Sequence, residues 1–103
     1  MNILISIAVA WLACQAIKIL LRKDAAAFFE VGGMPSAHST LTGALATAVA
    51  FEAGFASIPA AITYVLLAIV VHDALHIRKH HNLREIIVGL AIGIIVVSVL
   101  HYI

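Results

Sequence analysis

"LREIIVGLAIGIIVVSVLHYI", residues 83–103, decides the architecture. From Ile86 to Leu100 the only polar side chain is Ser98. The run shows no apolar/polar alternation of the kind that marks a half-buried strand. Coiled as a helix, the quoted stretch is about 31 Å long, close to the roughly 30 Å hydrocarbon thickness of a bilayer. It reads as a membrane-spanning helix.

Working back towards the N-terminus, three more runs of similar character appear near residues 2–21, 36–53 and 57–75. Inside a bilayer no water satisfies the backbone, so only helices or a closed barrel can cross, and these runs lack the alternation of barrel strands. The expected fold is all-α, an integral membrane bundle of four transmembrane helices forming a single domain over residues 1–103. Between the second and third runs, Gly54 marks a turn, Ser57 can cap and Pro59 suits a first helical turn. That hairpin is expected to be tight.

The composition agrees with this reading. Of 103 residues, 64% are hydrophobic, and the mean hydropathy of +1.15 is far above that of a water-soluble domain. The formal net charge of +1 says less than the positions of the charges. Five of the charged residues lie between Lys18 and Glu30, five between Asp73 and Glu85, and Glu52 stands apart. In an up-down bundle both charged windows fall on one side, while the Glu52–Ser57 turn and the chain ends fall on the other, which carries no Lys or Arg. By the positive-inside rule the charged face is expected to be cytoplasmic. A prokaryotic cytoplasmic membrane is the expected location.

Small residues recur at four-residue spacing, Ser39, Gly43 and Thr47 in the second run and Gly89 and Gly93 in the fourth, a pattern that lets helix backbones approach closely. Four helices make a thin bundle, so a homodimer is a candidate assembly. Cys14, the only cysteine, reads as a small buried hydrophobe. Because no Lys or Arg precedes the first run, that run is expected to be retained as a helix.

Against this apolar background, "GGMPSAHST", residues 32–40, is a polar interruption at the mouth of the second helix. Its glycines, Gly33 among them, permit unusual backbone angles, and its proline primes a helical turn. Exposed amide groups and the helix dipole favour a phosphate there, with Ser36 as the cap. A cap does not require His38, and a histidine at this depth points to proton transfer or ligand binding. Lys18 lies one turn deeper than Arg22 at the end of the first helix. Facing the interior, it would need a partner, which an anionic ligand can supply. Arg22 and Lys23 read as interfacial anchors.

The densest polar segment is "HDALHIRKHHNLRE", residues 72–85, and it supports two readings. In one, His81 and Glu85 share a helix face at i, i+4, so that Glu85 orients the imidazole and stabilises positive charge developing on it, as a histidine nucleophile needs. Arg78, Lys79 and Arg84 are close enough in sequence to gather phosphate oxygens. In the other, His72, His76 and His80, joined by Asp73, form a metal-ligand stripe. His101 reads as an interfacial residue.

These residues resemble a known family. "GGMPSAHS", then "DALHIRK" and "HNLREIIVGLAIG", are similar to the divergent branch of the type 2 phosphatidic acid phosphatase superfamily, the acid phosphatase and vanadium-dependent haloperoxidase-related group. That branch carries a Gly-Gly-Met-Pro-Ser-Ser-His-Ser signature, an Asp-Ala segment followed by paired basic residues, and His-x-x-x-Glu before a glycine-bearing last helix. The resemblance covers most of the chain from Lys18 to Gly93. It implies that His81 attacks phosphorus, that Glu85 supports it and that His38 protonates the leaving oxygen. It also implies that Lys18, Ser36, Arg78 and the backbone around Gly33 hold phosphate, with Lys79 or Arg84 as alternatives to Arg78 and His80 as an alternative to His81. The implied chemistry requires no metal and no cofactor.

The expected function is therefore a membrane lipid phosphatase working through a phosphohistidine. With the charged face cytoplasmic, phosphatidylglycerophosphate is the preferred substrate and undecaprenyl diphosphate the alternative. Nucleic acid is not an expected partner. Two non-enzymatic readings stand beside it: a metal-binding transporter built on His72, Asp73 and His76, and a scaffold in which Ala37 and the short segment before His81 mark lost activity.

Overall fold

The computed structural model describes residues 2–22, 37–77 and 83–103, apart from the side chains of Arg22, His76 and Ile77. Its four helices are α1 (Ile3–Arg22), α2 (Ala37–Ala53), α3 (Ile58–His72) and α4 (Leu83–Tyr102), with a π-helical turn over Asp73–Ile77 continuing α3. There is no strand among the described residues.

Local chemistry accounts for the helix ends. Asn2 caps α1 by accepting the Ile5 amide at 3.1 Å. The hairpin between α2 and α3 forms as its residues predict. Gly54 adopts φ 104°, a left-handed conformation natural to glycine. Ser57 Oγ then accepts the Ala60 amide at 3.2 Å, and Pro59 occupies the first helical turn. Tyr64 Oη donates to the Phe55 carbonyl at 2.8 Å, fastening α3 back onto the turn.

Among the described residues three helices are long and apolar enough to cross a membrane: α1, α3 with the start of its π turn, and α4. α2 is not, which narrows the expectation of four equivalent spans. It covers 17 residues, roughly 26 Å of rise, and carries Ser39, Thr40, Thr42, Thr47 and Glu52. Those polar and small residues have another use, because α2 is the hub. It packs against all three other helices, most extensively against α4, whereas α3 makes its main helix–helix contact with α2.

The core is correspondingly fine-grained. Ala10 of α1, Ala44 and Ala48 of α2 and Val97 of α4 form its centre, flanked by Ile3, Ile7, Phe51 and Val96. Small side chains let the backbones close up, as the four-residue spacing predicts. Gly43 lies against Leu90, and a Cβ built on Gly93 would meet Thr40 O at 2.5 Å and Ala44 N at 2.9 Å. With so little volume inside, the large apolar side chains point outward: Ile58 is 79% exposed and Ile62 65%. That inversion fits a solvent of lipid tails better than water. The molecule is a slab of 38 × 32 × 18 Å, in which α3 buries only Ala60 and Thr63.

Contacts along the helices fix their directions. Thr40 meets Gly89, and Phe51 meets His101, so α2 and α4 run parallel. Cys14 meets Thr40 while Ile3 and Ile7 border the Phe51 end, so α1 runs antiparallel to both. This is the up-down order that the parity argument assumes. At the far end Phe51, Phe55, His101 and Tyr102 form an aromatic cluster, with the Phe51 and His101 rings stacked at 4.1 Å and 5°.

Candidate active site

Three contacts at one level of the bundle position the candidate groups. The Thr40 hydroxyl of α2 donates to the Gly89 carbonyl of α4 at 2.9 Å. The Cys14 side chain of α1 is hydrogen-bonded to that of Thr40. Lys18 lies one turn beyond Cys14 in α1, His38 two residues before Thr40 in α2, and Glu85 one turn before Gly89 in α4. Given the helix directions, all three lie beyond that level on the same side. A cation, an imidazole and a carboxylate from three helices are thereby gathered at one end of the bundle.

Their environments differ. Lys18 is completely buried, 0% exposed, with Cys14 and Gln15 buried one turn below. An ionisable side chain placed inside a membrane bundle is costly, and such residues generally mark functional sites. His38 is exposed in the first turn of α2, where its carbonyl accepts from Thr42 Oγ1 at 2.8 Å. The next two residues, Ser39 and Thr40, are fully buried. Glu85 is half-buried in the first turn of α4, directly before the buried Ile86. The arrangement thus has an interior cation, a solvent-facing imidazole at a helix N-terminus and a partly sheltered carboxylate. Such a set can bind an anion, exchange a proton with it and orient a further group.

The other predicted site residues, Gly33, Ser36, Arg78, Lys79 and His81, lie outside the described residues, as do His80 and Lys23. Of the proposed metal stripe, His72 is exposed at the end of α3, Asp73 is half-buried at the start of the π turn, and His76 falls within that turn. Among the described residues no group of three His, Cys, Asp or Glu side chains is gathered for a metal ion.

Thr40 did not stand out in the sequence. Its neighbours Ser39 and Gly43 read as packing residues by spacing alone, and spacing does not say which hydroxyl on a helix crosses to another one. The available hint was its place two residues after His38. Cys14 is the small buried residue predicted, with a polar contact that the sequence did not suggest.

Comparison with known proteins bears on this geometry. The profile of the Divergent PAP2 family matches residues 1–88. Over 51 residues, half of this chain, the sequence is 41% identical to the uncharacterized membrane protein YuiD of Bacillus subtilis (strain 168). The matched segment is 32% of that relative, so this chain spans about a third of the relative's length. No solved structure matches the chain.

Proposed function

This chain belongs to the Divergent PAP2 family, and from that premise we propose that it is a metal-independent lipid phosphatase of the membrane, acting through a phosphohistidine. The observation that carries the reading is Lys18. A fully buried lysine, one turn beyond the Cys14–Thr40–Gly89 contacts and at the same end as His38 and Glu85, fits a site for phosphoryl charge. All four helices would cross or enter the bilayer, with α2 sheltered by the other three.

In the proposed reaction a lipid phosphate enters at the charged end with its tail in the bilayer. Lys18, Arg78 and Lys79 offset the charge on the phosphoryl oxygens, while Ser36 and the backbone near Gly33 hold them. His81 attacks phosphorus, forming a P–N bond as the P–O bond to the lipid breaks. His38 gives its proton to the departing oxygen, and Glu85 supports the charge that develops on His81. Water then attacks the phosphohistidine. His38 takes the water's proton, inorganic phosphate leaves and His81 is restored.

The positive-inside rule places the charged end in the cytoplasm. That makes phosphatidylglycerophosphate the favoured substrate and phosphatidylglycerol the product, with undecaprenyl diphosphate as the alternative. A homodimer in the cytoplasmic membrane is the proposed assembly.

Phosphate release by detergent-purified protein from phosphatidylglycerophosphate, phosphatidic acid and undecaprenyl diphosphate tests the reading, with chelator present and His81→Ala in parallel. Chelator-resistant release that disappears in the variant is the expected result. Full activity of His81→Ala, or no release from any of the three by folded wild-type protein, would overturn it.

A further inference from the structure

The chain has four threonines, all on described helices, and three of them return the hydroxyl to their own helix. Thr42 donates to His38 O at 2.8 Å, Thr47 to Gly43 O at 2.8 Å and Thr63 to Ala60 O at 2.7 Å. This local back-bonding is the usual behaviour of a helical threonine. Thr40, which is fully buried, also reaches beyond its own helix, donating across the bundle to Gly89 O at 2.9 Å.

A hydroxyl has one proton and two lone pairs. With its proton directed to Gly89, Thr40 Oγ1 also meets the Cys14 side chain. One side chain therefore joins α1, α2 and α4. The backbones reinforce the junction, because Gly93, one turn beyond Gly89, lies so close to the Thr40 carbonyl that a Cβ there would stand 2.5 Å from it. Thr40 is thus seated between two glycines of α4, its side chain engaging one and its carbonyl facing the other.

We propose that Thr40 is a positioning residue, a clasp whose hydroxyl sets α1 and α4 in register with α2 and so aligns Lys18, His38 and Glu85. Each of those groups lies within one helical turn of a clasp contact: Lys18 from Cys14, His38 from Thr40 itself and Glu85 from Gly89. A bilayer interior offers no water to replace a broken contact, so the bond holds the register unless another protein group takes it over. The catalytic consequence rests on the phosphatase reading; the clasp itself does not.

Thr40→Val keeps the branched shape and removes the hydroxyl, whereas Thr40→Ser keeps the hydroxyl and removes a methyl group. Thr40→Ala serves if Thr40→Val does not fold. Two readouts are needed in the full-length, detergent-purified protein: turnover, and the rate at which a small maleimide labels Cys14, the chain's single cysteine. In Thr40→Val, kcat falls on the order of a hundredfold, as expected for a misplaced catalytic group, while KM changes far less and Cys14 labels faster. Thr40→Ser restores both towards wild type. Wild-type kcat in Thr40→Val, or a Thr40→Ser variant as impaired as Thr40→Val, would overturn the positioning role. If wild-type protein releases no phosphate, faster Cys14 labelling in Thr40→Val alone keeps the clasp and discards the phosphatase reading. Unchanged labelling discards the clasp.

Discussion

A Cβ placed on Gly93 would stand 2.5 Å from the carbonyl oxygen of Thr40, because α2 and α4 cross there backbone against backbone. Neither atom is the movable end of a side chain, so one added methyl group must push the helices apart.

Gly93→Ala is accordingly expected to destabilise the protein by about 1–3 kcal/mol, the usual cost of overpacking. At Gly43 the first atom met is Leu90 Cδ2 at 3.1 Å, the far end of a flexible side chain, so Gly43→Ala should cost much less. Thermal unfolding of both variants in the same detergent distinguishes them. Equal losses would contradict the crossing.

Lys18 bears on both function and stability. Lys18→Met keeps the length and apolar stem of the side chain and removes its charge, and a group paired with that charge inside the bundle loses its partner. A lower melting temperature is therefore expected in the variant. If Lys18 stabilises phosphoryl charge, kcat/KM should fall on the order of a hundredfold to a thousandfold in the same variant. Loss of stability with retained turnover would reverse its assignment from substrate group to structural one.

At the other end of the bundle, the Phe51–His101 stack offers a control. His101→Ala removes an aromatic pair worth about 1 kcal/mol beyond its buried area. Because the stack lies at the end opposite His38 and Glu85, turnover should not change. A melt and a phosphate-release assay on the same preparation check both halves.

Orientation can be read at Glu52, which is exposed in the last turn of α2. In a Cys14→Ala background, Glu52→Cys should react with an impermeant thiol reagent in intact cells, placing that turn outside and the charged end in the cytoplasm. Labelling only after lysis would invert the topology and favour undecaprenyl diphosphate as substrate.

Much of this organisation was legible in the residues. The run from Ile86 to Leu100 has one polar side chain, so its environment had to be apolar and its backbone bonds had to close within the segment, which means a helix. Ser57, Pro59 and Gly54 specify the α2–α3 hairpin because capping, a proline-compatible first turn and a left-handed glycine are local properties. The placing of the charges along the chain also puts Lys18, Asp73, Arg84 and Glu85 towards one end of the bundle. Two facts were beyond such reading: the full burial of Lys18 and the reach of Thr40 to Gly89. Each depends on how helices rotate about their axes and on which face meets which. In lipid, apolar side chains are nearly as well accommodated outside as inside, so hydrophobic periodicity sets that rotation only weakly. Close contacts at glycines and a single buried hydroxyl set it instead, and those contacts exist only once α1, α2 and α4 have come together.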